Sequence, residues 1–590
     1  MKTKIQSLFL FLLLSTSEFG QEKHLDNQPP NVVLILVDDS GLMDFGAFGG
    51  EARTPNIDEL THQGMMFTNF HASPVCAPSR AMILTGTDSH LAGVANLPEM
   101  LPEGYEDKPG YAGVLNNRVQ TVATRLKEVG YNTYATGKWH LGHDEYTLPT
   151  KRGFDRSFIL GASGADNYEA KGYLPIKATA QWYADGKKVE LPNDFYSSKD
   201  YINQAIAFHE AEKNDTAPFF SYIAFQAIHA PIQAPKKFVE SYLNVYKEGW
   251  DVLRQKRFEK AKAIGITPEN ANMNDMFPQF RKWEELTQEE KDAFATDMAV
   301  LAGMLEAMDY HIGRYVNYLK EKKLFNNTVF IIASDNGPDG GNYNNRLMMQ
   351  WTKQHGYHKD IYRAGEKGYY GSIGPEFAHA LASPFSFYKY YAGEGAVRVP
   401  LIISGKDIPK AQKSNAFCFI TDIVPTILEM ADMEPVSNKL YNPITGNSIL
   451  PHIQDVSIPI YQEDEGVGLE AANNAAYYLG NFKIVKNNIP LGDGIWYMYN
   501  LRIDPGETKD ISKTNPTMFQ DMLTAYYEYA KAVGVIEMEE GYAAEYEVGR
   551  KSVKAVLRDY APYLIGMLIC VIGFIWWIIR RLRLKRLMKV

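Results

Sequence analysis

Asn31-Val32-Val33-Leu34-Ile35-Leu36-Val37-Asp38-Asp39 is the stretch on which the fold turns. Val32 to Val37 is an unbroken β-branched and leucine run with no polar side to offer to water, the pattern of a central parallel strand covered on both faces. It stops at two adjacent aspartates, and in open α/β sheets ligands gather at the carboxyl ends of such strands. Working outward, Thr54-Pro55 opens a helix through His62, with proline in the first turn. Thr121 to Val129 reads as an amphipathic helix and Tyr131 to Thr136 as the next strand. Phe219 to Phe225, Thr328 to Ala333 and Val399 to Ser404 are further short buried strands, and Thr421 to Ala431 is a helix that packs behind them. This alternation predicts an α/β fold, a large sheet sandwiched by helices over residues 30–452. After about residue 455 the texture changes. Ala475 to Lys486 and Ile495 to Leu501 read as antiparallel strands broken by turns at Gly480-Asn481 and Asp504-Pro505-Gly506, followed by a helix from Met518 to Val533. A smaller C-terminal α+β subdomain is expected over 453–545.

The chain has 590 residues, more than one core usually supports, and a net charge of −9 spread along its length. A basic face is lacking, so nucleic acid is not an expected partner. Three cysteines, Cys76, Cys418 and Cys570, are too few and too scattered for a disulfide framework. Both ends address a membrane. Lys2 and Lys4 precede the apolar run Leu8 to Leu14 and then Ser15-Thr16-Ser17, which predicts a signal peptide over 1–17. A retained N-terminal anchor is the alternative, although the run is short for a span. Residues 561–579 are expected to form a transmembrane helix: Tyr563 to Ile579 is continuously apolar, Trp576 and Trp577 lie near its edge, and a basic tail over 580–590 follows. The body is then exported and held outside the cytoplasm by its C-terminus, at the periplasmic face of the inner membrane in a Gram-negative cell.

Asp335 and Asn336 follow the strand ending at Ala333, as Asp38 and Asp39 follow the first. Each pair alone is what a turn or helix cap would use. Together they offer four oxygen donors at one sheet edge, which suits a hard cation, most simply Ca²⁺. No histidine or cysteine is interleaved with them, which disfavours zinc. Elsewhere the chain reads Cys76-Ala77-Pro78-Ser79-Arg80-Ala81-Met82-Ile83-Leu84-Thr85-Gly86. A buried cysteine at the mouth of a helix would account for Cys76 but for none of the other positions.

That string resembles the signature of the sulfatase family, Cys-x-Pro-Ser-Arg followed by Thr-Gly. The stretch Gly130-Tyr131-Asn132-Thr133 through Gly137-Lys138-Trp139-His140 resembles the family's second signature, with Thr136 departing from the usual small or aliphatic residue. His229 lies in Gln226-Ala227-Ile228-His229-Ala230-Pro231. Lys389 precedes Glu394-Gly395-Ala396-Val397-Arg398-Val399-Pro400, which resembles Glu-Gly-Gly-x-Arg-x-Pro, with Ala396 in place of the second glycine and a turn of narrowed freedom expected there. The likeness spans roughly Asn31 to Ala431 and is greatest to bacterial arylsulfatases. It implies an alkaline-phosphatase-like fold with a mixed sheet. It also implies that a maturation enzyme oxidises Cys76 to formylglycine, whose hydrate attacks sulfur. Asp38, Asp39, Asp335 and Asn336 would hold one Ca²⁺, with the group made from Cys76 completing its shell. Arg80 and Lys138 would hold the anionic oxygens, Lys389 and His229 would bind sulfate and protonate the leaving oxygen, and His140 would deprotonate the diol to expel sulfate. The implied substrate is a sulfated small molecule or carbohydrate. Aromatics between Asn336 and Lys389, including Tyr343, Trp351, Tyr357, Tyr369, Tyr370 and Phe377, either shape the pocket or pack the loop on itself. Two other classes use the same residues differently. A phosphate or phosphonate monoester hydrolase of the superfamily would reuse the metal site and arginine, and a non-catalytic, membrane-tethered sugar-binding protein would have lost some of the set.

Overall fold

The computed structural model describes residues 28–341, 346–433, 439–539 and 541–587. The expected signal peptide over 1–17, Tyr343 and the last residues of the basic tail lie outside them. In chain order the strands are β1 (Asn31–Val37), β2 (Gly64–His71), β3 (Asn132–Lys138) and β4 (Arg156–Leu160). A short hairpin of β5 (Lys171–Leu174) and β6 (Lys177–Thr179) follows, then β7 (Trp182–Ala184), β8 (Lys187–Val189) and β9 (Phe219–Ala224). Next come β10 (Thr328–Ser334), β11 (Arg398–Gly405), β12 (Gln412–Ser414) and the two-residue β13 (Cys418–Phe419). The large sheet runs in the order β12-β2-β11-β10-β1-β9-β3-β4-β7-β8, with β13 pairing β2. β10, β1, β9, β3 and β4 are mutually parallel, and β11 is antiparallel to β10. The fold is therefore α/β with a mixed sheet, and β1 lies among parallel neighbours as its apolar run predicts.

Two cores flank the sheet, and β1 divides its side chains between them. Val33, Ile35 and Val37 face a layer built on the helices Pro55–His62, Ser197–Ala211 and Gln288–Glu321. Val32, Leu34 and Leu36 face the helices Cys76–Thr85, Val122–Glu128 and Ile423–Met430. All seven residues of β1 are buried, which explains a run with no polar alternation. Several elements are absent from the sequence reading, among them β2 and the 34-residue helix Gln288–Glu321. Thr287 and Glu290 form a capping box at that helix's start, a signal the sequence carries.

A second sheet, β14 (Gly466–Ala471), β15 (Asn474–Leu479), β16 (Phe482–Lys486) and β17 (Trp496–Asn500), is wholly antiparallel and packs on the helix Pro516–Val533. A buried ionic cluster ties it to the main sheet. Glu394, just before β11, accepts from Lys483 Nζ of β16 at 2.9 Å and Tyr478 Oη of β15 at 3.1 Å, and contacts His71 Nε2 of β2 at 3.0 Å. Glu394 to Val397 form one helical turn in which Ala396 is fully buried and keeps a negative φ. The expected loss of freedom at Ala396 therefore costs nothing, because a helical turn needs no glycine.

The apolar C-terminal segment is one end of a longer helix, Ala544–Leu587, with Pro562 inside it. Its first turns pack on the body: Lys551 Nζ donates to the carbonyls of Pro98 at 2.8 Å and Leu101 at 2.6 Å. Its later part exposes Ile565, Leu568, Phe574 and Trp576, each more than half accessible. By length and composition it is long and apolar enough to cross a membrane.

Candidate active site

The strand register brings the site together. Val37 of β1 is level with Ser334 of parallel β10, so Asp38 and Asp335 emerge side by side. Lys138 ends β3, and Gln226 to His229 follow β9, at the same edge. β11 runs the other way, so the chain enters it from this edge and Lys389 arrives just before it. Gly137 allows the close approach of β3 to β9. Its φ is +104°, and a Cβ there would lie 1.8 Å from the carbonyl oxygen of Ala224.

The Cys76 string folds as a helix, Cys76–Thr85, pointed at that edge by its N-terminus. Cys76 and Arg80 are one turn apart and share a face. Ser79 Oγ accepts from Ser73 N at 3.0 Å, and Gly86 closes the helix in the left-handed conformation, where a Cβ would press within 2.9 Å of Val424. Cys76 is the first residue of this helix, where the partial positive charge of the helix N-terminus is felt.

The charged groups interlock. Arg80 Nη2 donates to Asp335 Oδ2 at 2.6 Å and Nη1 to the Lys138 carbonyl at 2.9 Å. Lys138 Nζ donates to Asp38 Oδ2 at 2.6 Å, and Lys389 Nζ to Asp39 Oδ1 at 2.7 Å. Asn336 Nδ2 donates to the same Asp39 oxygen at 2.6 Å. Cys76 Sγ is 3.4 Å from His140 Nδ1, and His229 Nε2 is 3.9 Å from Asp39 Oδ2. All ten residues expected at the site, Asp38, Asp39, Cys76, Arg80, Lys138, His140, His229, Asp335, Asn336 and Lys389, are therefore brought together, and every one is buried.

Three buried oxygens in this cluster have no hydrogen-bond partner: Asp38 Oδ1, Asp39 Oδ2 and Asn336 Oδ1. Orphaned buried acceptors are costly, and an all-oxygen set of this kind fits a hard cation. Cys76 Sγ and one oxygen each of Asp38 and Asp335 also lie within 4.8 Å of one another. Burial pushes Asp39 up to about 8, opposed by Lys389, so its ionised form needs more positive charge than the side chains supply. Asp38, Asp39, Asp335 and the neighbouring Asp339 outnumber Arg80, Lys138 and Lys389 by one. A divalent cation would leave the cluster net positive, which suits an anionic ester.

Burial raises the Cys76 thiol, with Lys138 and Lys389 opposing, so the unmodified cysteine is a poor thiolate. Burial, then Lys177, Lys138 and Arg80, holds His140 well below the usual imidazole range, leaving it neutral and able to accept a proton. Burial and Lys389 do the same to His229, whose Nδ1 donates to the Ala230 carbonyl at 2.5 Å and leaves Nε2 toward the site.

Other residues here escape the sequence reading. Asp339 places a carboxylate within 4.8 Å of ligand atoms of Asp39 and His229. Its position four residues after Asp335, in the same strand-end loop, is a signal of sorts. Lys177, from the β5–β6 hairpin, donates to Glu99 at 2.6 Å and Ser163 at 2.9 Å, and no motif marks it. Of the two readings of the aromatics between Asn336 and Lys389, packing is the one that holds for the described residues. Trp351, Tyr357 and Tyr370 form their own buried cluster with Tyr173, and Tyr369 and Phe377 belong to the main core. The cavity above Cys76, about 620 Å³, is lined instead by Tyr173, Phe280, Tyr388 and Tyr390.

Residues 30–433 match the family model described as Sulfatase. The chain is 32% identical over 548 residues to an uncharacterized sulfatase of Schizosaccharomyces pombe, covering 89% of this chain and 97% of that one. It is 32% identical over 421 residues to an arylsulfatase of Klebsiella aerogenes, covering 70% and 89%. Among solved structures, Ps i-CgsB in complex with k-i-k-neocarrahexaose superposes with a TM-score of 0.61 at 22% identity, over 85% of this chain and 93% of that one. A structure in complex with its substrate D-glucosamine-2-N,6-O-disulfate gives 0.56 at 20% identity, over 87% and 100%.

Proposed function

The chain belongs to the sulfatase family, and on that premise we propose that it hydrolyses sulfate monoesters with a nucleophile made from Cys76, releasing inorganic sulfate and an alcohol or phenol. The observation that carries this reading is the convergence of Cys76, Arg80, Lys138, His140, His229 and Lys389 on three orphaned oxygens of Asp38, Asp39 and Asn336. A formylglycine-generating enzyme acts on Cys76, and the hydrated aldehyde supplies two hydroxyls, one to attack sulfur and one whose deprotonation lets sulfate leave. Asp38, Asp39, Asp335 and Asn336, with the group at position 76, would hold one Ca²⁺, which would supply Lewis-acid stabilisation of the anionic ester.

The chain's own groups do the rest. Arg80 and Lys138 brace the carboxylates and offer charge-assisted hydrogen bonds to the diol and the sulfate oxygens. Lys389 Nζ neutralises charge on the transferring group. His229 turns Nε2 to the site and, once a bound anion favours its protonation, gives that proton to the leaving oxygen. His140, neutral beside Cys76, takes the proton of the second hydroxyl, so the C–O bond to sulfate breaks and the aldehyde returns.

The Klebsiella relative is an arylsulfatase, and two structural neighbours are solved with sulfated or carrageenan-type carbohydrates; aryl and carbohydrate sulfates are accordingly the substrate classes to assay. The C-terminal apolar segment supports membrane anchoring with the body outside the cytoplasm. The test is turnover of a nitrophenyl sulfate beside the matched phosphate, by enzyme co-expressed with a maturation enzyme. Faster turnover of the sulfate, lost in Cys76→Ala, is expected. Preference for the phosphate would overturn the reading in favour of the superfamily's phosphate hydrolases.

A further inference from the structure

The walls above Cys76 carry information about the alcohol half of the ester, given the sulfatase reading of the site beneath them. Their upper surface is largely apolar: Leu97, Met100, Phe280, Met348, Tyr388 and Leu491 all line it. Among the described lining residues there is one lysine, Lys389, and Asp39 already engages it at 2.7 Å. The other charged lining groups are carboxylates: Glu99, which Lys177 already engages at 2.6 Å, and Glu545. A second sulfate on the substrate would meet Glu545, lysines already held by carboxylates, and apolar surface, where desolvation of an unpaired anion is costly.

One whole wall is the start of the C-terminal helix. Ala544, Val548 and Ser552, with Glu545, Gly549 and Val553, are two rows at helical spacing and so share a face. This wall is fastened to the body by Lys551 on the Pro98 and Leu101 carbonyls and by Lys554 on Glu103 at 2.7 Å. The same helix continues into the exposed apolar segment, and only about 12 Å of helix rise separates Val553 from Ala561. Substrate cavity and apolar segment are thus parts of one rod.

We propose that the enzyme's substrate is a monosulfated amphiphile, one sulfate on an uncharged, largely apolar body, which lies along the wall Ala544 to Val553. Gly549 allows a direct test, because a Cβ built there meets nothing within 4 Å and a helix interior favours leucine over glycine. The experiment measures kcat/KM of the detergent-solubilised, matured full chain on phenyl sulfate and 4-octylphenyl sulfate, whose leaving groups are nearly matched in acidity. A monosulfated and a disulfated form of one disaccharide are compared alongside. The expected results are at least a tenfold preference for the octyl compound, equivalent to about 1.4 kcal/mol, and a lower kcat/KM for the disulfated sugar than for the monosulfated one. Gly549→Leu is expected to cut the octyl-to-phenyl ratio at least fivefold while the thermal midpoint holds or rises. No octyl preference, an unchanged ratio in Gly549→Leu, or a gain from the second sulfate would overturn the proposal. Failure to turn over phenyl sulfate itself would instead overturn the sulfatase reading on which it rests.

Discussion

In the proposed mechanism His229 gives a proton to the leaving oxygen and His140, 3.4 Å from Cys76 Sγ, takes one from the diol. A phenolic leaving group has a pKa near ~10 and departs with little help, whereas an alkyl or sugar alcohol depends on an acid. His229→Ala should therefore slow the chemical step far more for an alkyl sulfate than for a nitrophenyl sulfate, approaching the ~10²–10⁴ typical of general-acid help. The pH sign follows. His229 is held low by burial and Lys389, and the acid form is the one required, so alkyl sulfate turnover should fall as pH rises through its pKa in the complex, with aryl turnover less affected. Equal losses for both ester types under single turnover would assign His229 to sulfate binding alone. His140→Ala should give a burst of alcohol and then stall, since the second hydroxyl loses its acceptor. At this scale the sequence was most legible. Asp38, Asp39, Asp335, Asn336, Lys138 and His140 lie at or just past strand ends, and Cys76 and Arg80 lie in the first turns of one helix, so motif and register coincide there. Lys177 was not legible, because the hairpin that delivers it leaves no periodic trace, and Asp339 was marked only by its place four residues after Asp335.

At the scale of elements, β3 and β9 make the tightest demand. Gly137→Ala would drive a methyl group into the Ala224 carbonyl at a positive φ, and a loss of more than ~4 kcal/mol, or no soluble protein, is expected in denaturant unfolding. The Cys76 helix was not among the elements read from the sequence, although proline in its first turn and glycine at its close punctuate it. β1 was readable because burial on both faces removes alternation. β2 was not: Gly64–His71 mixes Met, Phe, Thr, Asn and His, and its strand state is set by pairing with β11 and β12. The C-terminal helix was read only where it is apolar. Its first turns are polar and amphipathic, and their place in the cavity wall is a tertiary fact. Ending the chain before Ala561 should yield a detergent-free soluble enzyme that keeps activity. Ending it before Ala544 should cost activity as well, as the wall goes with it. Equal activity of the two would show that the helix serves only as a tether.

For the whole molecule, ionic clusters join the small sheet to the main body. Beside the Glu394 cluster, His90 Nε2 contacts Glu470 at 2.9 Å and its Nδ1 contacts Asp88 at 3.3 Å. Burial opposes its charge, but hydrogen bonds to Asp88 and Glu470 prevail and raise it to about 9. A raised folded pKa means that this contribution is fully present below the ordinary imidazole value and is lost as pH climbs through about 9. The thermal midpoint gap between the protein and His90→Gln should accordingly be widest near pH 6 and narrow by pH 10; a constant gap would show that His90 acts by packing alone. These joints were invisible in the sequence, since His90 and Glu470 are 380 residues apart and Glu394 and Lys483 are 89 apart. The central claim is chemical and resides in one peptide, Thr54 to Arg80, which trypsin releases whole because no lysine or arginine lies between its ends. Its mass in active enzyme should be lower than the cysteine form by the exchange of a CH2–SH for a CHO group at position 76, and the aldehyde should trap a hydrazide. A full-activity preparation whose Thr54–Arg80 peptide carries only an unmodified thiol would contradict the account.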